Sequence, residues 1–224
     1  MEKTRKNQRK PKTSASAAAI EQRYRQHVLT NGAAPSSVFA FCKSIGLTET
    51  EFYKHFGSFE AIEKNVWKTF AETVRKQLAS DEQYAAFSAR EKVLSYYFAL
   101  TEVLKADRSF VLHQLKEWKN PAIQPAFLKG FHHSFEEWAM EVIAEGKKSG
   151  EVAKRPFIED RYQHLLWLHF LFILQFWRHD DSANFEQTDA AVEKSVNLAF
   201  DLIGKGILDN ALDFGKFLYQ TARN

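Results

Sequence analysis

The chain has 224 residues, of which 45% are apolar and 14% aromatic, but only nine are Gly and five are Pro. So few turn-forming residues count against an all-β fold and favour an all-α one. The single cysteine, Cys42, excludes intramolecular disulfides and zinc sites built from several cysteines, and it fits a reducing compartment. The N-terminal residues contain no apolar segment of the secretory type, so we expect a cytoplasmic protein.

The formal net charge of +3 is unevenly distributed along the chain. Residues 1–14 contain six Lys and Arg residues against one Glu, which leaves the rest of the chain slightly acidic. We predict that residues 1–14 form a flexible basic tail. A tail of this kind either binds phosphates without sequence preference or serves as a solubilising terminus.

Two short helices are predicted first. Ile20, Tyr24 and Val28 recur at a helical spacing of four, and an Asn-Gly pair follows as a typical helix end. Ser37 precedes a second apolar stripe, which Gly46 closes. The short connection between this stripe and the next helix is typical of a helix-turn-helix unit.

The third helix begins at Thr48, within the sequence TETEFYKHF. Thr48 and Glu51 form the pattern of a capping box, in which the hydroxyl and the carboxylate bind free backbone N–H groups at the helix start. Glu49 and Glu51 also lie in the first turn, where the helix dipole favours negative charge. A longer helix is predicted from Phe59 to about Ala79.

From residue 63 onwards the periodicity stays helical, without strand-like alternation. We therefore predict an all-α fold, with a helix-turn-helix domain in residues 15–62 and a larger helical domain in residues 63–224. The segment Arg161–Trp177 is apolar on nearly every side, but its unbroken apolar runs are too short to span a membrane. The helix therefore contacts the domain's own core, a second subunit or a ligand.

Residues 37–62 carry a specific pattern: a small residue in the second helix, a Gly-aliphatic-Thr turn, an aromatic cluster, and a Gly-Ser-x-Glu-Ala sequence. In this chain they are Cys42, Gly46-Leu47-Thr48, Phe52-Tyr53-Lys54-His55-Phe56 and Gly57-Ser58-Phe59-Glu60-Ala61-Ile62. The pattern resembles the DNA-binding domain of TetR-family transcriptional regulators. The final third of the chain is also similar to C-terminal domains of family members from Bacteroidetes-type bacteria.

The resemblance implies a homodimeric transcriptional regulator and not an enzyme. Each subunit would place its third helix in a major groove of double-stranded DNA, and the two half-sites would form a palindromic operator. The helical C-terminal domain would dimerise and bind a small apolar or aromatic effector. Carried over position by position, the DNA contacts would come from Thr48, Thr50, Tyr53, Lys54 and His55.

The chain departs from the family pattern where affinity for DNA originates. Phe39, Glu49 and Phe59 stand where relatives often have basic or polar residues, and acidic and basic residues are equal in number between residues 20 and 60. In one interpretation, Glu49 accepts a hydrogen bond from cytosine N4 while the basic tail binds phosphates. In the other, DNA binding is lost and a hydrophobic-ligand or lipid carrier remains, as in TetR-like lipid-binding proteins of ubiquinone biosynthesis.

Aromatic side chains are concentrated between residues 110 and 180, a composition typical of an apolar small-molecule site. Packing in the core is the alternative explanation for each of them. Our predicted ligand contacts are Phe131, Trp138, Trp167 and Phe170, with His132 as a polar group.

Two histidines have carboxylates four residues away, His132 with Glu136 and His133 with Glu137. Such pairs hold a metal or form solvated surface contacts, and a helical metal enzyme is our third hypothesis. We find no phosphate-binding loop, no zinc-protease motif and no nucleophile–base pair in the sequence, and we predict neither a metal nor a cofactor.

Overall fold

The computed structural model describes residues 16–116, 118, 123–155, 161–204, 206, 214–215 and 218–221. In this part of the chain every regular element is helical, which confirms the all-α prediction. The basic tail predicted for residues 1–14 lies outside the described residues. The α-helices are α1 (Ala17–Asn31), α2 (Val38–Ile45), α3 (Glu49–Tyr53), α4 (Phe59–Ala79), α5 (Ala89–Ala106), α6 (Arg108–Leu115), α7 (Lys129–Ser149), α8 (Tyr162–His179) and α9 (Glu186–Ile203).

The chain divides into two compact units, Met1–Ile62 and Glu63–Asn224, which we call the N-terminal and the C-terminal unit. In the N-terminal unit, serine side chains begin the first two helices. Ser16 Oγ accepts a hydrogen bond from the Ala19 amide at 3.2 Å, and Ser37 Oγ accepts one from the Ala40 amide at 3.1 Å. These contacts satisfy amides that have no partner within the helix.

Phe41 occupies the centre of the N-terminal core. Its ring is edge-on to Tyr24, Phe52 and Phe59, with centroid distances of 6.2, 6.3 and 5.6 Å. Tyr24 and Phe59 stack on each other at 5.2 Å. Aromatic pairs in these arrangements contribute about 0.5–1.5 kcal/mol beyond the burial of their surface. This cluster fixes the short helix α3 against α1 and α2.

Four helices of the C-terminal unit pack in a closed ring, in which α5 contacts α7 and α9, and α8 contacts the same two helices. Neighbouring side chains lie close to the backbone of Gly146 in α7. A Cβ at this position would lie 2.6 Å from Val152 Cγ2 and 3.0 Å from Ala89 Cβ, at the first residue of α5. Within the described residues, no helix has the length and apolarity that crossing a bilayer requires.

Candidate functional site

The turn between α2 and α3 holds α3 by local hydrogen bonds. Gly46 ends α2 in the left-handed region, at a φ of +75° that favours glycine. The predicted capping box is confirmed: Glu51 Oε2 accepts from the Thr48 amide at 2.8 Å, and the Glu51 amide donates to Thr48 Oγ1 at 3.2 Å. Glu51 Oε2 also accepts from the Thr48 hydroxyl at 2.8 Å. One of the two carboxylates at the helix start is therefore occupied in capping.

The residues predicted to contact DNA lie on the surface of the N-terminal unit. Thr48, Glu49 and Thr50 at the start of α3 are exposed, and Tyr53 is 52% exposed while its ring stands edge-on to Phe52 at 5.4 Å. Because α3 ends at Tyr53, the exposed Lys54 and His55 belong to the turn that follows the helix. All six side chains are exposed to solvent, and their roles in DNA binding stay predictions.

Two aromatic residues of the N-terminal unit differ in exposure. Phe56 is buried in the core of the N-terminal unit, whereas Phe39 on α2 is 63% exposed. An exposed phenyl ring can contact a thymine methyl group, but it brings no charge to a phosphate.

The aromatic residues predicted to contact a ligand lie in the core of the C-terminal unit and contact one another. Phe131 stacks on Phe170 at 4.7 Å between ring centroids, and Trp167 lies 5.0 Å from Phe170. The His132 ring stacks on Trp167 at 3.9 Å. Trp138 lies elsewhere on α7 and stacks on Tyr96 at 3.9 Å. The Phe135 ring connects Trp138 to the others, since it lies 5.3 Å from Trp138 and 5.4 Å from Phe170. The residues thus form one aromatic cluster, and their contact with a ligand stays a prediction.

His132 shares a carboxylate with a histidine of another helix. Glu136 Oε1 lies 3.2 Å from His132 Nε2 on α7 and 3.1 Å from His164 Nδ1 on α8. Burial lowers the pKa of His132 although the Glu136 carboxylate opposes this effect. His133 is exposed on the same helix and lies 3.4 Å from Glu137. Among the described residues, no group of three or more His, Cys, Asp or Glu is arranged to hold a metal ion.

A serine and a histidine meet between α8 and α9, a pair that the sequence analysis did not find. His169 Nε2 is 2.8 Å from Ser195 Oγ, and its Nδ1 is 3.1 Å from the Tyr97 hydroxyl. The Ser195 hydroxyl donates its only proton to the Ala191 carbonyl at 2.5 Å, so it accepts from the histidine. A serine nucleophile requires the opposite direction, with the histidine receiving the proton. The contacts therefore connect three helices and do not activate Ser195.

A cavity of about 170 Å³ lies within the C-terminal unit, between the last turns of α4, the Tyr84–Ala86 turn, α5 and α7. Sequence reasoning missed this site, because its polar residues look like surface charges on separate helices. The only signal was the four-residue spacing of Glu141 and Glu145. Residues that line the cavity include Arg75, Tyr84, Lys92, Trp138, Glu141 and Glu145. Trp138 is the one predicted ligand contact among them.

The helices α8 and α9 carry large apolar side chains on the surface. Leu168 of α8 is 60% exposed, and Leu165 and Phe172 follow the spacing of one helical face. Leu198 and Leu202 are exposed on α9, also one turn apart. An apolar stripe of this kind on packed neighbouring helices is typical of an interface.

A family model described as "Tetracyclin repressor-like, C-terminal domain" matches residues 92–218 of the chain. None of the curated proteins matches the chain significantly. Among solved structures, a fatty acid degradation regulator FadR from Bacillus halodurans superposes with a TM-score of 0.56 at 16% identity, covering 86% of this chain and all of its own. FadR from Bacillus subtilis, in complex with stearoyl-CoA, gives 0.55 at 18% identity over 86% of this chain and all of its own.

A third similar structure is a bacterial regulatory protein of the TetR family from Rhodococcus RHA1. It superposes with a TM-score of 0.53 at 17% identity, covering 87% of this chain and all of its own. At these identities the three structures establish a common fold. The family assignment comes from the match over residues 92–218.

Proposed function

The chain belongs to the tetracyclin repressor-like (TetR) family, and from this premise we propose that it binds operator DNA as a homodimer under the control of a small molecule. The observation that carries the proposal is the exposed surface of α3 and the turn after it. Thr48 and Tyr53 are exposed at the two ends of α3, Lys54 is exposed in the turn that follows, and a complete capping box fixes the start of the helix. Such a fixed, exposed helix is what major-groove binding requires.

Residues 20–60 are a weak binder of phosphates by themselves, since four acidic residues oppose four basic ones in this range. We propose that residues 1–14 supply the missing phosphate contacts. Glu49, which is exposed and takes no part in the capping box, would accept from cytosine N4. In this proposal α3 recognises the base sequence, and the basic tail contributes much of the affinity for DNA.

The proposed dimer uses the apolar stripe of α8 and α9. Symmetric assembly through one such face displays two copies of α3, which a palindromic operator requires. Replacing Leu168 and Phe172 by Glu should convert the dimer to a monomer in sedimentation equilibrium. The Met140→Glu variant, at a half-exposed site on α7, is the control and should stay dimeric. A wild-type monomer at about 100 μM would contradict this interface.

DNA binding is tested by selecting bound duplexes from a random-sequence pool and sequencing them. We expect an enriched palindrome whose half-site centres are about one helical turn of DNA, or a multiple of it, apart. The pool should lose its enrichment when the Tyr53→Ala variant is used, whereas Leu29→Ala, an exposed apolar site on α1, should preserve it. Absence of enrichment with the wild-type chain would favour the second candidate function.

That second candidate is a carrier of a hydrophobic molecule which does not bind DNA. The even charge balance of residues 20–60 favours it. Solvent extraction of the purified protein followed by mass spectrometry distinguishes the two, since a carrier should retain about one lipid molecule per subunit. The close stacking of Phe131, Trp167 and Phe170 favours a core over a channel for an acyl chain.

A further inference from the structure

The cavity between α4, α5 and α7 contains a buried cation with a replaceable partner. The Lys92 side chain is only 8% exposed and pairs with Glu145, whose own side chain is 51% exposed. A half-exposed carboxylate can turn into water at little cost, but a buried ammonium needs an anion beside it. Another anion can therefore replace the Glu145 carboxylate beside Lys92.

The second cation of the cavity is already neutralised. Arg75 Nη2 lies 3.1 Å from Glu141 Oε1, and its Nη1 lies 3.5 Å from Glu137 Oε2. The carboxylates of Glu137, Glu141 and Glu145 are all about half exposed or more, so the negative charges stand at the rim. Lys92 is the most buried of the charged groups. The positive charge of Lys92 thus lies deeper in the cavity than the carboxylates.

The uncharged part of the lining consists of Tyr84, Trp138 and the apolar residues Leu78, Ala79 and Val142. Trp138 stacks on Tyr96 at 3.9 Å, and its indole N–H donates to the Tyr84 hydroxyl at 3.0 Å. Because Tyr84 accepts this bond, its own O–H proton can be donated to a ligand. Tyr96 does not itself line the cavity. Its buried hydroxyl has no hydrogen-bond partner among the described residues, and it interacts electrostatically with Arg75 and Tyr84. Buried hydroxyls without a partner are uncommon in folded proteins.

We propose that this cavity binds a small molecule made of one aromatic ring and a carboxylate. The carboxylate replaces Glu145 at Lys92 and accepts from the Tyr84 hydroxyl, while the ring packs on Trp138. The volume of the cavity fits a ligand with one aromatic ring, because a cavity of roughly 150 Å³ accommodates benzene and this cavity measures about 170 Å³. A fatty acyl-CoA is far too large for it. A cationic ligand is disfavoured because it would approach Lys92.

In a regulator of the proposed kind this molecule is the effector, and that part of the inference rests on the proposed function. The binding itself does not, because it is a property of the C-terminal unit that is measured without DNA. A failed DNA-binding experiment therefore leaves the ligand site standing, and absence of ligand binding leaves the DNA-binding surface standing.

The test is isothermal titration of the full chain with benzoate, benzamide and benzylamine, which share a ring and differ in charge. We expect one saturable benzoate site per subunit and affinity for benzoate about tenfold or more above that for benzamide, because a hydrogen-bonded charge pair is lost with the amide. The Lys92→Met variant should reduce benzoate affinity to the benzamide level. Glu145→Gln should tighten benzoate binding, because it removes the competing carboxylate.

Lys105→Met is the matched control, since Lys105 lies on the same helix and pairs with Glu102 away from the cavity. It should leave benzoate affinity unchanged. Circular dichroism verifies that the Lys92→Met variant is folded. If that variant does not fold, the Glu145→Gln variant still tests the proposal, because its substitution is at an exposed residue. The proposal is overturned if benzoate and benzamide bind with equal affinity, or if benzylamine binds more strongly than benzoate. It is also overturned if Glu145→Gln weakens benzoate binding, or if no saturable benzoate binding is found up to about 10 mM.

Discussion

The two units hold their polar groups in different ways. At the start of α3, the hydrogen bonds join residues three apart, Thr48 and Glu51, and the surrounding side chains are exposed. In the C-terminal unit, Lys92 meets Glu145 and His169 meets Ser195, so that these contacts join residues of different helices. A local polar contact survives as long as its helix forms, whereas a distant one depends on the packing of the whole unit. Substitutions of exposed residues around α3 should therefore change recognition more than stability, whereas substitutions of packed residues in the C-terminal unit should change stability most.

The largest effect on stability should come from the stacked aromatic core of the C-terminal unit. Phe170 is buried and contacts both Phe131 and Trp167, so Phe170→Ala should lower the free energy of unfolding by about 3–5 kcal/mol. Urea denaturation followed by circular dichroism measures the change. Phe98→Ala, at a partly exposed position on α5, is the control and should lower it by less than half as much.

The next effect is a dependence of stability on pH through His169. Burial lowers the pKa of His169 to about 4 from its usual 6.5. Above pH 6.5 the ring is neutral in both states, and its packing contributes fully. As the pH falls from 6.5 towards 4, the unfolded chain takes up the proton first, so stability declines by up to about 3 kcal/mol.

The contribution of His169 is isolated by comparing unfolding free energies of the wild type and the His169→Gln variant between pH 7.5 and 4. The difference between the two should shrink as the pH falls. His133→Gln, at an exposed site on α7, controls for the loss of an imidazole and should leave the decline caused by His169 in place. A constant difference between wild type and His169→Gln would show that this ring does not titrate as a buried group.

A smaller loss of stability is expected at Asp180, which follows α8. Its carboxylate accepts hydrogen bonds from the amide and hydroxyl of both Ser182 and Thr188, at 2.6 to 2.9 Å. Burial raises the pKa of Asp180, but these four bonds outweigh that effect and hold it at about 2. Asp180→Ala should cost about 1–3 kcal/mol, because the buried Thr188 groups lose their acceptor. The exposed Asp181→Ala variant should lie within about 0.5 kcal/mol of the wild type.

The smallest effect on stability should come from the capping box. Glu51→Ala removes the carboxylate that binds the Thr48 amide and should cost about 1 kcal/mol in thermal unfolding. Glu49→Ala should cost almost nothing in stability, because Glu49 is exposed and outside the capping box, but it should alter base preference at one operator position. If Glu49→Ala destabilises the protein as much as Glu51→Ala, the separation of their roles is wrong.

The contrast between local and distant polar contacts also explains which features could be predicted from the sequence. The Thr48–Glu51 box, the end of α2 at Gly46 and the all-α fold follow from residues within a few positions of each other, where short-range spacing determines the hydrogen bonds. The family resemblance, read from residues 37–62, agrees with the match over residues 92–218.

The cavity around Lys92 and the His169–Ser195 contact could not be predicted, because they depend on which helices pack together. Three separate helices supply Arg75, Lys92 and Glu145, and each residue alone has the spacing of a surface charge. The role of the aromatic residues of α7 and α8 could not be predicted from the sequence either. Their composition indicates either a ligand site or a core, and only their centroid distances reveal that Phe131 and Phe170 stack on each other.

The central claim is tested most directly by measuring affinity for the selected operator against salt concentration, by fluorescence anisotropy. The account predicts that Lys54→Ala weakens binding to specific and unspecific duplexes alike and reduces the slope of log K against log salt by about 1. Lys194→Ala, an exposed lysine on α9, should match the wild type. No binding by the wild-type chain at low salt, or an unchanged slope for Lys54→Ala, would contradict the claim that α3 and the turn after it bind DNA.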